Sequence, residues 1–499
     1  MIDKEQNIFD TENASRVDEL MKAMSAGSTT GRTLDGTNTS GAALKTESLE
    51  PTVKVVTNKE KHIVLWKQIP KLTAYNTVEE FNQLVDYGGD TGIFNSEGET
   101  PQFTDSIYRR ESVKVKFMGV SGEVTHPFEV VRTAGIGNAL ANEVKNKTQY
   151  MLRQIDKNLV TANSSHVSNQ FEGLFKQHEV TVSNASSLNG SVNLDTYFND
   201  SVVVDARGAI LADDNVQDAV NGIMENNFGY ASQIIARPKV FSDYVKQFND
   251  SKRVLVNNPV AGTTGATMGQ AVNTIATQGG LININSDIFF DYKKPRDYNA
   301  SATNAKAPAA PVADGVAPVA AATDTSNKFG STYAGDYYYA VAAKNQYGES
   351  AMTLLNATAT PVSIAATESA DLKFTAGSGA YAAESYVIYR TEAVTSGTEA
   401  NNKFYPIFTI TTAELAAGYD GASAGLVRDR NRWIANTSSA MIYDIDPEVF
   451  AYKQLFPISR MDLAVTAPAH RFMILHYGTP VLFAGKKIAR IVNIGERTS

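Results

Sequence analysis

GNALANEVKNKTQYMLRQIDKNLVTA, residues Gly137–Ala162, is the stretch on which the reading of this chain turns. Leu140, Val144, Met151, Ile155 and Leu159 recur at multiples of three to four residues, and Leu152 and Val160 widen the stripe. Glu143, Lys145, Asn146, Arg153 and Lys157 make the opposite face polar. Asn138 can cap the start, and no proline interrupts the stretch behind it. The spacing predicts one amphipathic helix of roughly 25 residues, a rod of about 37 Å. Periodicity alone favours a core helix of an α/β enzyme. The flanks change that reading.

Upstream, a glycine-punctuated segment (Gly88, Gly89, Gly92, Gly98, Pro101) leads into Ser112–Val120. There Val113, Val115, Phe117 and Gly119 alternate with Lys114, Lys116 and Met118, the period of a strand. An acidic, glycine-rich tip before an alternating strand predicts a long two-stranded projection over 77–120. Such a projection is unstable with both faces in water and needs something to lie on. Thr125–Pro127 ends the strand before the helix.

Residues 1–58 read as an arm. Val17, Leu20, Met21 and Met24 mark one short helix capped by Ser15, and Ser25–Pro51 is rich in Gly, Ser and Thr. That stretch cannot bury enough apolar surface to offset its ordering entropy, so alone it is expected to be flexible, either a disordered tail or an extended arm ordered only by neighbouring subunits. Residues 62–74 form an apolar segment broken by Pro70. After the helix, residues 164–195 are Asn/Ser/Gly-rich, with a strand expected at Glu179–Val182.

Residues 213–290 read as α/β. Asp213–Asn215 can cap a helix carrying Val216, Val220 and Ile223, and SQIIARP is a short buried strand. Pro238 suits the first turn of a helix carrying Phe241, Tyr244, Val245 and Phe248. A Gly/Thr loop comes next at Pro259–Gln270.

Composition then shifts to Ala, Thr, Ser and Gly. Ala300–Ala322 reads as a Pro/Ala linker, and beyond it YYYAVAAKN, AMTLLNATA, DLKFTA, ESYVIYRTE and FYPIFTI are evenly spaced strand candidates. That spacing predicts a β-sandwich. Residues 436–499 return to the earlier composition, with strands expected around Arg471–Tyr477 and Ile488–Ile494. The main domain is therefore discontinuous, with the sandwich inserted into it.

The 499 residues suffice for two to four domains, and 43% hydrophobic with 20% charged residues is ordinary for a folded protein. No apolar run is long enough to span a membrane, and MIDKEQNIFDTENASRVDEL lacks a secretory pattern. Cysteine is absent, which excludes disulfides, thiolate nucleophiles and cysteine-bound metals. A net charge of −8 argues against a basic nucleic-acid-binding domain.

No catalytic constellation emerges, so no catalytic, cofactor-binding or metal residue is assigned, no cofactor is expected, and the chain is expected not to be an enzyme. The six histidines are scattered without HExxH spacing, and a structural role is expected for His470 and His476. Around Ser121, Glu123 replaces the second glycine of a nucleophile elbow. Gly478 lies too far from Gly485–Lys486 for a phosphate loop, and Lys487 stands where Ser or Thr is needed. Gly262, Gly265 and Gly269 read as a loop. Asp213 and Asp214 fit capping and the helix dipole, and Arg109–Arg110–Glu111 a solvated charged face or an intersubunit salt bridge.

The order of parts resembles a tailed-bacteriophage major capsid protein of the Hong Kong 97-type fold. Phe94–Asp105 corresponds to the extended loop, VKVKFMGVSGEVTHPFEVV to the return strand and Gly137–Ala162 to the spine helix. Gln233–Phe248 corresponds to part of the axial domain, and RFMILHYGTPVLFAGKKIARIVNIGE to the return to the peripheral domain. Each motif is weak alone; their collinear order carries the resemblance. Within the inserted segment, Tyr339, Val341, Ala343, Asn345, Gly348, Glu349 and Ser350, with Tyr386, Ile388, Tyr389 and Arg390, resemble immunoglobulin-like and fibronectin type III strands in reversed order.

The resemblance implies an α+β fold with an N-terminal arm (1–58) and an extended loop (77–120). A peripheral domain (59–76 and 121–195) would carry the spine helix at 137–162, and an axial domain (196–295) would come next. The inserted Ig-like β-sandwich (296–432) would precede a return segment (433–499). It further implies homopentamers and homohexamers in an icosahedral virion shell around double-stranded DNA, assembled in the host cytoplasm. Portal, scaffold and decoration proteins are the other implied partners, and no membrane is. A phage tail sheath or tube protein, an encapsulin-like nanocompartment shell and, from the sandwich alone, a secreted adhesin or glycan-binding enzyme are the alternatives.

Overall fold

The computed structural model describes residues 57–88, 93–100, 103–131, 138–183, 192–247, 272–291, 293–319, 324, 326–356, 360–394, 402–465 and 467–497. The expected N-terminal helix and the Pro259–Gln270 loop lie outside them. The chain forms two units, Met1–Val56 with Val124–Asn142, and Thr57–Glu123 with Glu143–Ser499. In the first, a single-turn helix at His126–Val130 leaves Phe128 and Val130 exposed.

Residues 57–125 supply α1 (Leu65–Gln68) and strands β1 (Lys71–Thr73), β2 (Val78–Asp86), β3 (Ile107–Lys114) and β4 (Lys116–Thr125). Then come α2 (Ala139–Thr161), α3 (Leu174–Val182), α4 (Leu194–Phe198), β5 (Val203–Asp205) and α5 (Asp213–Asn227). After them stand β6 (Gln233–Ala236), α6 (Pro238–Gln247), β7 (Thr274–Thr277) and β8 (Gly280–Ser286). Next are β9 (Arg296–Asp297), β10 (Val312–Val319), β11 (Gly335–Tyr337), β12 (Tyr339–Asn345), β13 (Gly348–Glu349) and β14 (Thr353–Leu354). β15 (Val362–Ile364), β16 (Ser369–Thr375), β17 (Ser385–Arg390), β18 (Lys403–Thr411), α7 (Thr412–Ala417) and β19 (Leu426–Asp429) complete that stretch. The last four strands are β20 (Ser438–Tyr443), β21 (Phe450–Asp462), β22 (Ala469–Leu482) and β23 (Ala489–Ile494).

Helix α2 spans about 35 Å. Asn138 caps it, its Oδ1 accepting from the Ala141 N–H at 2.9 Å. Met151, Ile155, Leu159 and Val160 in the second half are buried, and each such side chain contributes about 1.5–3 kcal/mol. Leu140 and Val144 in the first half are only half-buried.

A four-stranded sheet runs β1-β21-β22-β4. Trp66, from α1, packs edge-on against Tyr452 at 4.7 Å and His476 at 5.6 Å, joining the 62–69 segment to that sheet. A six-stranded sheet runs β5-β23-β20-β6-β8-β7, so two of its inner strands come from beyond residue 437. Its core holds Val216, Val220 and Ile223 of α5, Phe241 and Tyr244 of α6, and Ile234, Ile442 and Ile491 of the sheet. Pro238 opens α6 as expected, whereas Ala212, not an aspartate, caps α5. Asp213 and Asp214 lie in the first turn of α5, where the dipole favours them.

Between these segments, β10-β16-β19 and β13-β12-β17-β18-β9 form two antiparallel sheets over one core. Val341, Tyr386 and Ile388 meet Leu372, Phe374 and Val427 there, with Phe329 alongside. Three expectations fail. Ala300–Ala322 is not all linker, because β10 lies inside it; its Pro318 is tolerated on an edge strand, and Gly315 (φ +126) sits at a bulge. Glu179–Val182 is the end of a helix whose Leu174, Phe175, Gln177, His178, Val180 and Val182 are all buried. Finally, Ser112–Val120 is not one strand. Pairing with β2 ends at Lys114, the Val115 N–H bonds the Thr77 carbonyl at 2.8 Å, and β4 continues beside β22. The change of partner shifts the inward phase by one residue: Val113 and Val115 are buried, but Phe117 and Gly119 are exposed while Met118 and Val120 turn inward.

Candidate functional site: the projecting hairpin

The base of the β2–β3 hairpin is held firmly. Glu79 accepts N–H groups from Tyr75 at 2.8 Å and Asn76 at 2.9 Å, and pairs with Lys453 at 2.8 Å. Burial alone would raise its carboxyl, but the Lys453 bond and the two N–H groups outweigh this and hold Glu79 below its ordinary value. Phe81 meets Phe483 edge-to-face at 4.9 Å, Val113 packs on Val481, and Gln83 Nε2 donates to the Phe483 carbonyl.

Beyond Gln83 the inward face disappears. A bulge leaves Val85 unpaired between Leu84 and Asp86, and Leu84, Val85, Ile107 and Tyr108 are exposed. At the tip, Phe94 is 92% and Phe103 96% exposed, with Tyr87 and Ile93 close behind. The backbone where the tip begins is nevertheless specified: Gly88 has φ +136, and a Cβ there would meet Thr104 Cβ at 2.9 Å. Arg109 pairs with Glu111, while Arg110 reaches Asn82 at 3.2 Å and Glu80 at 3.6 Å, so both arginines are engaged within the hairpin. Aromatic side chains this exposed on a two-stranded extension gain about 1.5–3 kcal/mol each when another surface covers them.

The residues screened for chemistry lie on separate elements. Ser121 is exposed on β4, Asp213 accepts from the Tyr244 hydroxyl, and Gly485–Lys487 is one 3-10 turn. Gly478 gives room to the Tyr452 ring, which a Cβ would meet at 2.5 Å. His470 is exposed, whereas His476 is buried, bonds the Tyr452 hydroxyl at 3.0 Å and is pushed down to about 4 by burial. Gly262, Gly265 and Gly269 are outside the described residues.

Two buried polar assemblies escaped the sequence reading. In VRDRNRW, residues 427–433, Arg428 grips Asp371 at 2.7 and 2.9 Å, and Arg430 pairs with Asp324 and Asp420. Arg432 pairs with Asp420 at 2.8 Å and with Asp195 of α4 at 2.6 Å. Arg207 Nη1 donates to the Asn431 carbonyl at 2.9 Å, so the two-sheet body is tied to the α4–β5 region by a charged ladder. The second assembly is Asp156 with Asp287. Asp156 occupies the apolar stripe of α2 beside Ile155 and Leu159, which was the available signal.

No family model and no curated protein matches the chain. Among solved structures it is similar to the capsid of a native GTA particle, at 11% identity and TM-score 0.43 over 94% of this chain and 99% of that one. It is also similar to the capsid of cyanophage P-SCSP1u, at 6% identity and TM-score 0.43 over 91% and 94% of the two chains. A third likeness is to the holo-SrpI encapsulin complex of Synechococcus elongatus, at 8% identity and TM-score 0.37 over 93% and 98%. These overlaps are loose.

Proposed function

We propose that this chain is a shell subunit, the major capsid protein of a tailed bacteriophage, which self-assembles through its hairpin into pentamers and hexamers around double-stranded DNA. The observation that carries this reading is the hairpin: anchored at Glu79, Phe81 and Val113, it projects a shaped tip whose Phe94 and Phe103 nothing in the described chain covers. A neighbouring copy is the occupant that fits. Every subunit then both offers and receives a hairpin, and many modest contacts close a durable shell. The half-buried first half of α2 is a further surface for a neighbour. Its role is architectural and involves no catalytic step. The two-sheet body, read as an immunoglobulin-like insertion, faces outward from the virion. Portal, scaffold and decoration proteins are its further partners.

Electron microscopy of the full chain, with and without a co-expressed scaffold, tests this. Closed icosahedral particles with nuclease-protected DNA in infected cells are expected. Helical rods would favour a tail sheath or tube, and shells holding cargo protein without DNA an encapsulin-like compartment. A chain that stays monomeric at high concentration overturns the proposal.

A further inference from the structure

Three elements meet at Trp66, and two carboxylates lie between them. The Trp66 N–H donates to Asp156 Oδ1 of α2 at 2.8 Å, and the Leu65 N–H to Asp287 Oδ2 at 3.4 Å. Asp287 stands directly after β8 of the six-stranded sheet, and its Oδ1 accepts the Phe289 N–H at 2.8 Å. Both aspartates are 2% exposed. Asp156 Oδ2 makes no well-formed hydrogen bond among the described residues, although the Val64 N–H also bears on this carboxyl. Two buried carboxylates held by the adjacent N–H groups of Leu65 and Trp66, with no cation paired to either among the described residues, cannot both stay charged at low cost.

We propose that Asp156 holds a proton that it donates to Asp287, so that a single proton clamps the spine helix, the start of α1 and the end of β8 together, and that losing it loosens this junction. Burial first, and the Asp287 charge second, raise the Asp156 carboxyl to about 8, against the opposing pull of the Trp66 and Val64 N–H groups. The surrounding titratable groups are few. Lys71 of β1 donates to the Trp66 carbonyl at 2.9 Å and is lowered by burial. Tyr443 of β20, raised by burial, donates to Gln68 Oε1 at 2.8 Å. His476 of β22, already neutral above about 4, backs the Trp66 ring.

Linkage sets the sign. An unfolded aspartate releases its proton near pH 3.9 or so. The folded chain keeps it until about 8, so the folding constant falls roughly tenfold per pH unit between those limits and levels off above them. Difference infrared spectra of the full chain between neutral and alkaline pH should show the carbonyl band of a buried protonated carboxylic acid disappearing. Asp156→Asn should lack that band and, in equilibrium unfolding, lose the associated pH slope, because an amide does not titrate; it can still donate to Asp287, so the junction is kept. Lys71→Met should keep both. Should Asp156→Asn not fold, Asp287→Asn should move the band's titration, since the neighbouring charge is gone. Absence of the band, a slope retained in Asp156→Asn or abolished in Lys71→Met, or a titration unmoved by Asp287→Asn overturns the assignment.

Discussion

In the β2–β3 hairpin, Phe94 and Phe103 stand in solvent; in the two-sheet body at 296–432, the guanidinium of Arg390 is fully buried. The two regions invert the usual rule about what lies inside. Arg390 is tolerated because Asp429 and Asn431 accept its N–H groups at 2.5 and 2.6 Å, the Tyr339 hydroxyl donates to Asp429 at 2.9 Å, and the Phe329 and Tyr337 rings flank it. Its charge is balanced within one chain, although its Nε finds no acceptor among the described residues. Among the described residues the hairpin tip has no such closure. One region is finished by folding; under the proposed function the other is finished by a neighbouring copy, and each then has a different sensitivity to mutation.

The largest effect is expected inside the two-sheet body. Arg390→Met leaves Asp429 buried without its cation and should cost about 3–5 kcal/mol in denaturant unfolding of the full chain. A value near zero would erase the contrast. Phe94→Ser with Phe103→Ser should do the reverse. Monomer stability should change by less than about 0.5 kcal/mol. Each lost contact should weaken association by about 1.5–3 kcal/mol, read as a higher concentration threshold for particles in sedimentation. Gly88→Ala imposes φ +136 on a side chain that also meets Thr104, and should cost about 1–3 kcal/mol of local order at the tip. Faster limited proteolysis near residue 94 would register it.

Smaller still is a pH effect at the hairpin base. Because Glu79 is held below its ordinary value, its contribution is present above the unfolded range of about 4.3 and is lost as pH falls through the folded value. Hydrogen exchange at Val113 should accelerate in acid, and Lys453→Met should flatten that response. Arg110→Ala, at a side chain 69% exposed, should change stability by at most about 0.5 kcal/mol. A larger loss of assembly than of stability in that variant would revive the intersubunit reading of Arg110.

Legibility in the sequence divides along the same line. Helix α2 was readable because a stripe on one face leaves a period, and the tip because glycines and acids punctuate it. Residues Leu174–Val182 misled because burial on nearly every side, including Gln177 and His178, removes the amphipathic signal. Val312–Val319 was hidden by prolines and alanines that suit an edge strand as well as a linker. The phase change at Val115 depends on which strand lies alongside, and no local pattern encodes that. The arginines of residues 428–432 alternate visibly, but their acids at 195, 324, 371 and 420 are gathered only by the fold.

The six-stranded sheet places β23 between β5 and β20. During synthesis, β5 must therefore wait for a partner encoded near the far end of the message, and so must the helices packed behind it. Until Ile494 has left the ribosome, that sheet is incomplete. The order of translation thus makes its closure one of the last events of synthesis, long after the hairpin has emerged.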